Sequence, residues 1–219
     1  MMIPENDNKP AWNKGKVIGQ KRAFTLDELA QIEAHLNTHC NWHDLALLGF
    51  GLDTMFRACD LLTTKVWQVR YQNGPIRTLI ARKQKKTKHV VNPVLTNQTQ
   101  TYLHGWITRS GKQDNDFVFT RSKSVTARHI SRSHYADIIK AWAEMLGHDP
   151  SEFSSHSIRR SKPAHMYWAG EDIALISRLL GHKSIASTIE YLGITQAKAE
   201  TAALRHSMLS GSKPNDDLK

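Results

Sequence analysis

The sequence predicts a mainly helical α+β fold in which a small three-stranded antiparallel sheet interrupts a run of helices. Three observations carry this. Apolar residues recur at helical spacing through most of the chain. One stretch, residues 65–95, changes to short β-rich runs separated by a turn signal. Gly170 and Gly181 fall just past successive helical runs, where helices commonly end.

The elements follow in order. Residues 1–23 are poor in apolar groups and mix Pro4, Pro10, Gly15 and Gly19 with Lys9, Lys14, Lys16, Lys21 and Arg22, which predicts a flexible basic arm. A single main domain is expected over 24–209. It opens with the capping-box pattern Thr25-Leu26-Asp27-Glu28, ahead of Leu29, Ile32 and Leu36 at helical spacing. A second helix, from about Trp42 to Leu52, is apolar almost all round, as a buried central helix should be. Strands are expected at Lys65–Tyr71, Ile76–Ala81 and His89–Leu95, with Asn73-Gly74-Pro75 turning between the first two. Helical spacing returns through Tyr102 to Ile107 and through Ile130 to Leu146. Shorter helices are expected at Ser157–Ala169, Asp172–Leu180, Ile185–Tyr191 and Thr195–Met208, before a disordered tail over 210–219.

Composition narrows the function classes. No run approaches the roughly 20 apolar residues of a membrane span, and Cys40 and Cys59 are the only cysteines, too few for a disulfide framework. Thirty Lys and Arg against twenty Asp and Glu give a formal charge of +10, which favours a polyanionic partner. Neither a zinc-type Cys/His cluster nor a clear grouping of acidic ligands is present, so no metal or other cofactor is expected.

The chemistry concentrates in five places. His156-Ser157-Ile158-Arg159-Arg160, then Leu179-Leu180-Gly181-His182, then Tyr191 nine residues beyond His182, follow one another in the carboxy-terminal third. Upstream stands Arg57-Ala58-Cys59-Asp60-Leu61, and between them Arg82, Lys83, Lys85, Lys86 and Lys88 crowd into seven residues. Order and spacing together resemble the tyrosine recombinase (phage integrase) family. That family carries an Arg-x-x-acidic-Leu motif, a lysine in a β-hairpin, a His-x-x-Arg pair, a Leu-Gly-His turn and a tyrosine nine residues on. The likeness spans residues 24–194 and is nearest to small integrases that lack a separate amino-terminal core-binding domain.

The resemblance implies a catalytic-domain fold and a strand-transfer reaction on double-stranded DNA. It assigns Tyr191 as nucleophile, Arg57 and Arg159 as a phosphate clamp, His182 as a further donor and His156 as a proton acceptor. Lys86, before Thr87, would be the general acid, with Lys85 a close alternative. Arg82, Lys83, Lys85, Lys88 and Arg160 would grip the DNA backbone. The residue types suit such a reaction, because attack on a phosphodiester builds charge on its non-bridging oxygens, and arginine forks stabilise that charge while fixing its orientation. Two nearby arginines should also favour the phenolate of a tyrosine whose ordinary pKa is about 10.

The resemblance further implies assembly as a dimer or tetramer on paired DNA sites, possible accessory DNA-bending proteins, and work in the cytoplasm without a membrane. The last helix would pack either on its own domain or on a neighbouring protomer. Two other readings share these residues: a DNA-binding regulator that does not cut, and a type IB topoisomerase that relaxes supercoils. One residue is out of keeping. Pro163 falls inside an expected helix, where a kink would displace Arg159 from His182.

Overall fold

The structure is a computed structural model and describes residues 20–72, 74–121 and 128–205. The expected arm up to residue 19, Asn73 of the expected turn and the expected tail lie outside the described residues.

Ten helices and one hairpin are described. Helix α1 spans Leu26–Thr38, α2 Trp42–Thr54, α3 Ala58–Leu62 and α4 Val66–Val69, followed by strands β1 Arg82–Lys83 and β2 Val90–Val91. Then come α5 Asn97–Arg109, α6 Arg132–Met145, a 3-10 turn at Pro150–Glu152, α7 Ser155–Trp168, α8 Ile173–Leu180, α9 Ile185–Leu192 and α10 Gln196–Arg205. No described helix is long and apolar enough to cross a membrane.

Helix α1 starts where its capping box directs: the Thr25 hydroxyl accepts from Glu28 N, and Glu28 accepts in turn from Thr25 N. Helix α2 is the centre of the domain, with Leu45, Ala46, Leu47, Leu48 and Phe50 buried and α1, α5 and α7 packed round it. Its approach to α7 is close. A Cβ on Gly51 would stand 2.8 Å from Ile158 Cγ2 and 3.2 Å from the Tyr135 hydroxyl, so glycine sets the distance between these helices. The β-branched Ile158 and the aromatic Tyr135 fill that space and bring α7 and α6 onto α2.

The sheet is smaller than expected. Within the described residues it has two strands, with Arg82 opposite Val91 and Lys83 opposite Val90, and isolated bridges such as Leu79 to Val94 continue the pairing. The stretch Lys65–Tyr71, expected as the first strand, instead holds α4. Val66 and Val69 are both buried, a spacing of three that one helical turn satisfies, while Trp67 and Tyr71 are exposed. Gln68 closes the turn by accepting from Lys65 N at 2.9 Å. Local side-chain capping and burial thus override the β preference of Val and Trp.

Helix α7 begins at Ser155, capped by Ser154, and runs through the buried Pro163 to Trp168. Arg159 stays within reach of the turn that carries His182, so the expected displacement does not occur. The amino-terminal strand of chain at 20–24 lies along this helix: Arg22 N donates to Glu152 O at 3.0 Å, and Phe24 N donates to the Ser161 hydroxyl at 3.0 Å.

Candidate active site

Arg57 and Arg159 are brought together by the end of α2. Met55 takes a left-handed conformation at φ 50°, which stops the helix and turns the chain through the buried Phe56 to Arg57, the residue capping α3. Arg57 is half-buried, and its Nη1 donates to Gln84 Oε1 at 2.6 Å. Arg159, on α7, is only 3% exposed. It donates from Nη1 to the Met55 carbonyl and from Nη2 to the Leu180 carbonyl at 3.2 Å. Burial lowers its pKa to about 10, which leaves the guanidinium charged at neutral pH.

His182 and Tyr191 come from the next two helices. Gly181, at φ 64°, ends α8 in the left-handed region and delivers His182 into the site. The His182 Nδ1 lies 2.9 Å from the hydroxyl of the fully buried Thr188, one turn before Tyr191 on α9. The rings of His182 and Tyr191 meet edge to face with centroids 5.3 Å apart. Burial, then the charges of Arg159 and Arg57, push the His182 pKa down to about 4, so the ring is neutral at pH 7.

Tyr191 departs from expectation. The guanidinium groups of Arg159 and Arg160 stand 5.8 and 5.5 Å from its ring centroid and favour the phenolate. Burial outweighs them and raises the pKa to about 12. The hydroxyl is buried and makes no hydrogen bond of ordinary distance and angle; the nearby Arg159 still opposes the rise.

The basic stretch forms the β1–β2 hairpin, closed by Gln84 N to His89 O at 2.8 Å and Lys88 N to Gln84 O at 3.0 Å. Lys85 N donates to Asp60 Oδ1 at 2.9 Å, which ties the hairpin tip to α3. Lys86 faces a cavity of about 480 Å³ that Arg57, His182 and Tyr191 also line. His156, on the first turn of α7, stands outside that lining. Its pKa is lowered by partial burial of the ring and then by Arg159 and Arg57, so it shares the same positive field.

The five expected backbone-gripping cations divide. Lys83, Lys85 and Lys88 are exposed. Arg82 turns inward to Gln68 Oε1 at 2.9 Å, the Thr63 hydroxyl at 2.8 Å and the Asp60 carbonyl at 3.1 Å. Arg160 donates to the Lys21 carbonyl at 2.9 Å and to Gln20 Oε1 at 2.7 Å. Residues that sequence reading passed over also shape the site: Gln84, Thr188, and Gln20, which donates to the Glu190 carbonyl and lines the cavity. A polar residue amid five cations or on a short helix has no periodic signature. Among the described residues, no group of three or more His, Cys, Asp or Glu is arranged to hold a metal ion.

Residues 22–198 match the phage integrase family. The tyrosine recombinase XerD of Rickettsia conorii is 26% identical over 223 residues, covering 94% of this chain and 72% of the relative. The probable integrase/recombinase YoeC of Bacillus subtilis is 27% identical over 179 residues, covering 81% and 92%. The crystal structure of XerA recombinase shares the fold at a TM-score of 0.66 and 17% identity, over 94% of this chain and 69% of that one. The XerH site-specific recombinase bound to difH substrate does so at a TM-score of 0.63 and 16% identity, over 83% and 53%. The family match runs from before Arg57 to beyond Tyr191 and so takes in every residue of the candidate site except Gln20. This chain belongs to the phage integrase family of tyrosine recombinases.

Proposed function

We propose that this protein is a site-specific DNA recombinase that cuts and rejoins DNA through a 3′-phosphotyrosyl intermediate. The observation that carries the reading is one cavity lined by Arg57, Lys86, His182 and Tyr191, drawn from four separate stretches of the chain. A scissile phosphate seated there meets the guanidinium groups of Arg57 and Arg159, which bind its non-bridging oxygens more tightly as charge develops. In this reading Thr188 donates to Nδ1 of His182, which places the ring proton on Nε2 to reach the same phosphate.

Tyr191 enters the reaction as a phenol, so its proton leaves as the oxygen–phosphorus bond forms. His156, whose pKa is lowered by partial burial and then by its cationic neighbours, accepts it. The 5′ oxygen departs with a proton from Lys86. Lys86 suits this role better than Lys85, because Lys86 lines the cavity whereas the backbone of Lys85 is tied to Asp60. The phosphotyrosyl link conserves the bond energy, and attack by a 5′ hydroxyl from a second duplex reverses the steps.

The proposed partner is double-stranded DNA, gripped by Lys83, Lys85 and Lys88 on the hairpin, with Arg160 bracing the tyrosine helix. Assembly as a dimer or tetramer on paired sites fits a related solved structure, a lambda integrase dimer bound to a COC′ core site, with a TM-score of 0.55. We place the reaction in the cytoplasm, with accessory DNA-bending proteins as optional partners and residues 24–209 as the catalytic domain. The test is a randomised pool of nicked suicide duplexes from which covalently attached members are recovered. Adducts with the wild type and none with Tyr191→Phe are expected. Equal recovery with both, or none with either, overturns the reading, and supercoil relaxation without site preference would favour a topoisomerase.

A further inference from the structure

Gln84 is a buried polar residue to which the reaction so far gives no role. It is 1% exposed, although it sits in a hairpin whose neighbours Lys83, Lys85 and Lys86 are exposed. Burying a carboxamide is costly unless its groups are paired, and here they are. Nε2 donates to the Leu180 carbonyl at 3.0 Å, while Oε1 accepts from Arg57 Nη1 at 2.6 Å and from the Thr87 hydroxyl at 2.7 Å. The amide orientation is fixed by chemistry, since Arg57 offers only donors and Leu180 O only accepts.

The same Leu180 carbonyl accepts from Arg159 at 3.2 Å. Arg57 and Arg159 are therefore joined by a continuous path, guanidinium to carboxamide to carbonyl to guanidinium. Leu180 ends α8, and the next two residues are Gly181 and His182. The fit at this joint is tight: a Cβ on Gly181 would lie 2.9 Å from Gln84 Nε2 and 2.8 Å from Val91 Cγ1. One side chain thus touches the hairpin tip beside Lys86, the first arginine, and the turn that presents His182.

We propose that Gln84 is a positioning residue that sets the Arg57 guanidinium against the scissile phosphate. The proposal rests on the recombinase reading. Gln84 does not touch the phosphate; it acts through Arg57. A bidentate donor held by a buried carboxamide has lost most of its rotational freedom before DNA arrives, and that preorganisation favours the transition state over the bound ground state.

The test is single-turnover cleavage, at saturating protein, of a duplex recovered by covalent capture with the wild type. Gln84→Ala is expected to lower the cleavage rate about a hundredfold, the scale of a 1 Å misplacement, with DNA affinity within about twofold of the wild type. Adding Gln84→Ala to Arg57→Ala should cost little more than Arg57→Ala alone, because the two act as one unit. A 5′-bridging phosphorothiolate, whose sulfur leaves without a proton, should not restore Gln84→Ala, whereas it should restore Lys86→Ala. Should Gln84→Ala melt early, the near-isosteric Gln84→Met replaces it. A wild-type rate in the folded variant, full additivity with Arg57→Ala, or rescue by sulfur overturns the proposal. Failure of the wild type to form any adduct instead removes the recombinase reading beneath it.

Discussion

The described residues form two apolar cores of very different size, and the site lies across the seam between them. The large one gathers α1, α2, α5, α6 and α7 round residues such as Leu47, Phe50, Phe119 and Ile158. The small one consists of the buried Met55, Ile176 and Leu180, with Met166, Tyr167, Tyr191 and Leu192 packed against it. Arg159 belongs to a helix of the large core, while Tyr191 stands on the short α9 in the small one. Helices α8 and α9 still expose Leu175, Leu179, Ile185 and Ile189. A segment with few buried apolar contacts opens at lower free energy than the domain as a whole. On the proposed reading, the arginines that would hold the phosphate stand on the larger core, whereas Tyr191 is carried by the segment with fewer buried apolar contacts.

Arg159 joins the two cores, since one nitrogen holds the Met55 carbonyl and another the Leu180 carbonyl. Arg159→Ala should therefore produce the largest change: cleavage falling on the order of a hundred- to a thousandfold, with faster amide hydrogen exchange in α8 and α9. Unchanged exchange there would separate the catalytic role from the stapling one. Next in size, Leu47→Ala in the large core should lower global stability by about 2–5 kcal/mol in urea unfolding. Ile176→Ala should shift the global midpoint less while slowing cleavage more than Leu47→Ala does at a temperature where both are folded. The reverse order would break the distinction between the cores.

A smaller effect concerns pH. The folded pKa of His182 is lowered to about 4 from an ordinary 6.5, so the unfolded chain binds its proton first as pH falls. The stability this group contributes is complete above about pH 6.5 and is lost as pH falls toward about 4. His156 is shifted in the same direction. The urea midpoint should fall between pH 7 and pH 5, and less steeply in His182→Gln. The smallest effect is local: Lys83→Ala should leave cleavage of bound DNA intact and flatten the salt dependence of affinity by about 0.9 log units per log unit of salt.

Much of this could be read from the chain because the site residues stand in ordered motifs beside helical punctuation. The spacing from His182 to Tyr191 is one capped turn followed by α9, so sequence distance translates directly into geometry. The buried α2 was legible from its unbroken apolar surface. Lys65–Tyr71 was not, because its composition is β-like and only tertiary burial of Val66 and Val69 selects a helical turn. Arg82 is indistinguishable in sequence from its exposed neighbours, and only the position of Gln68 and Thr63 turns it inward. The rise in the Tyr191 pKa was hidden for a related reason: two arginines are visible in the sequence, but the burial that outweighs them is not.

The contact of Gln20 with α9 and Arg160 has a practical consequence. Because Gln20 also lines the cavity, a group attached at this residue stands at the edge of the proposed DNA site. A bulky label at residue 20 would crowd incoming substrate, whereas a small environment-sensitive dye at the same residue would sit where it can register each docking event.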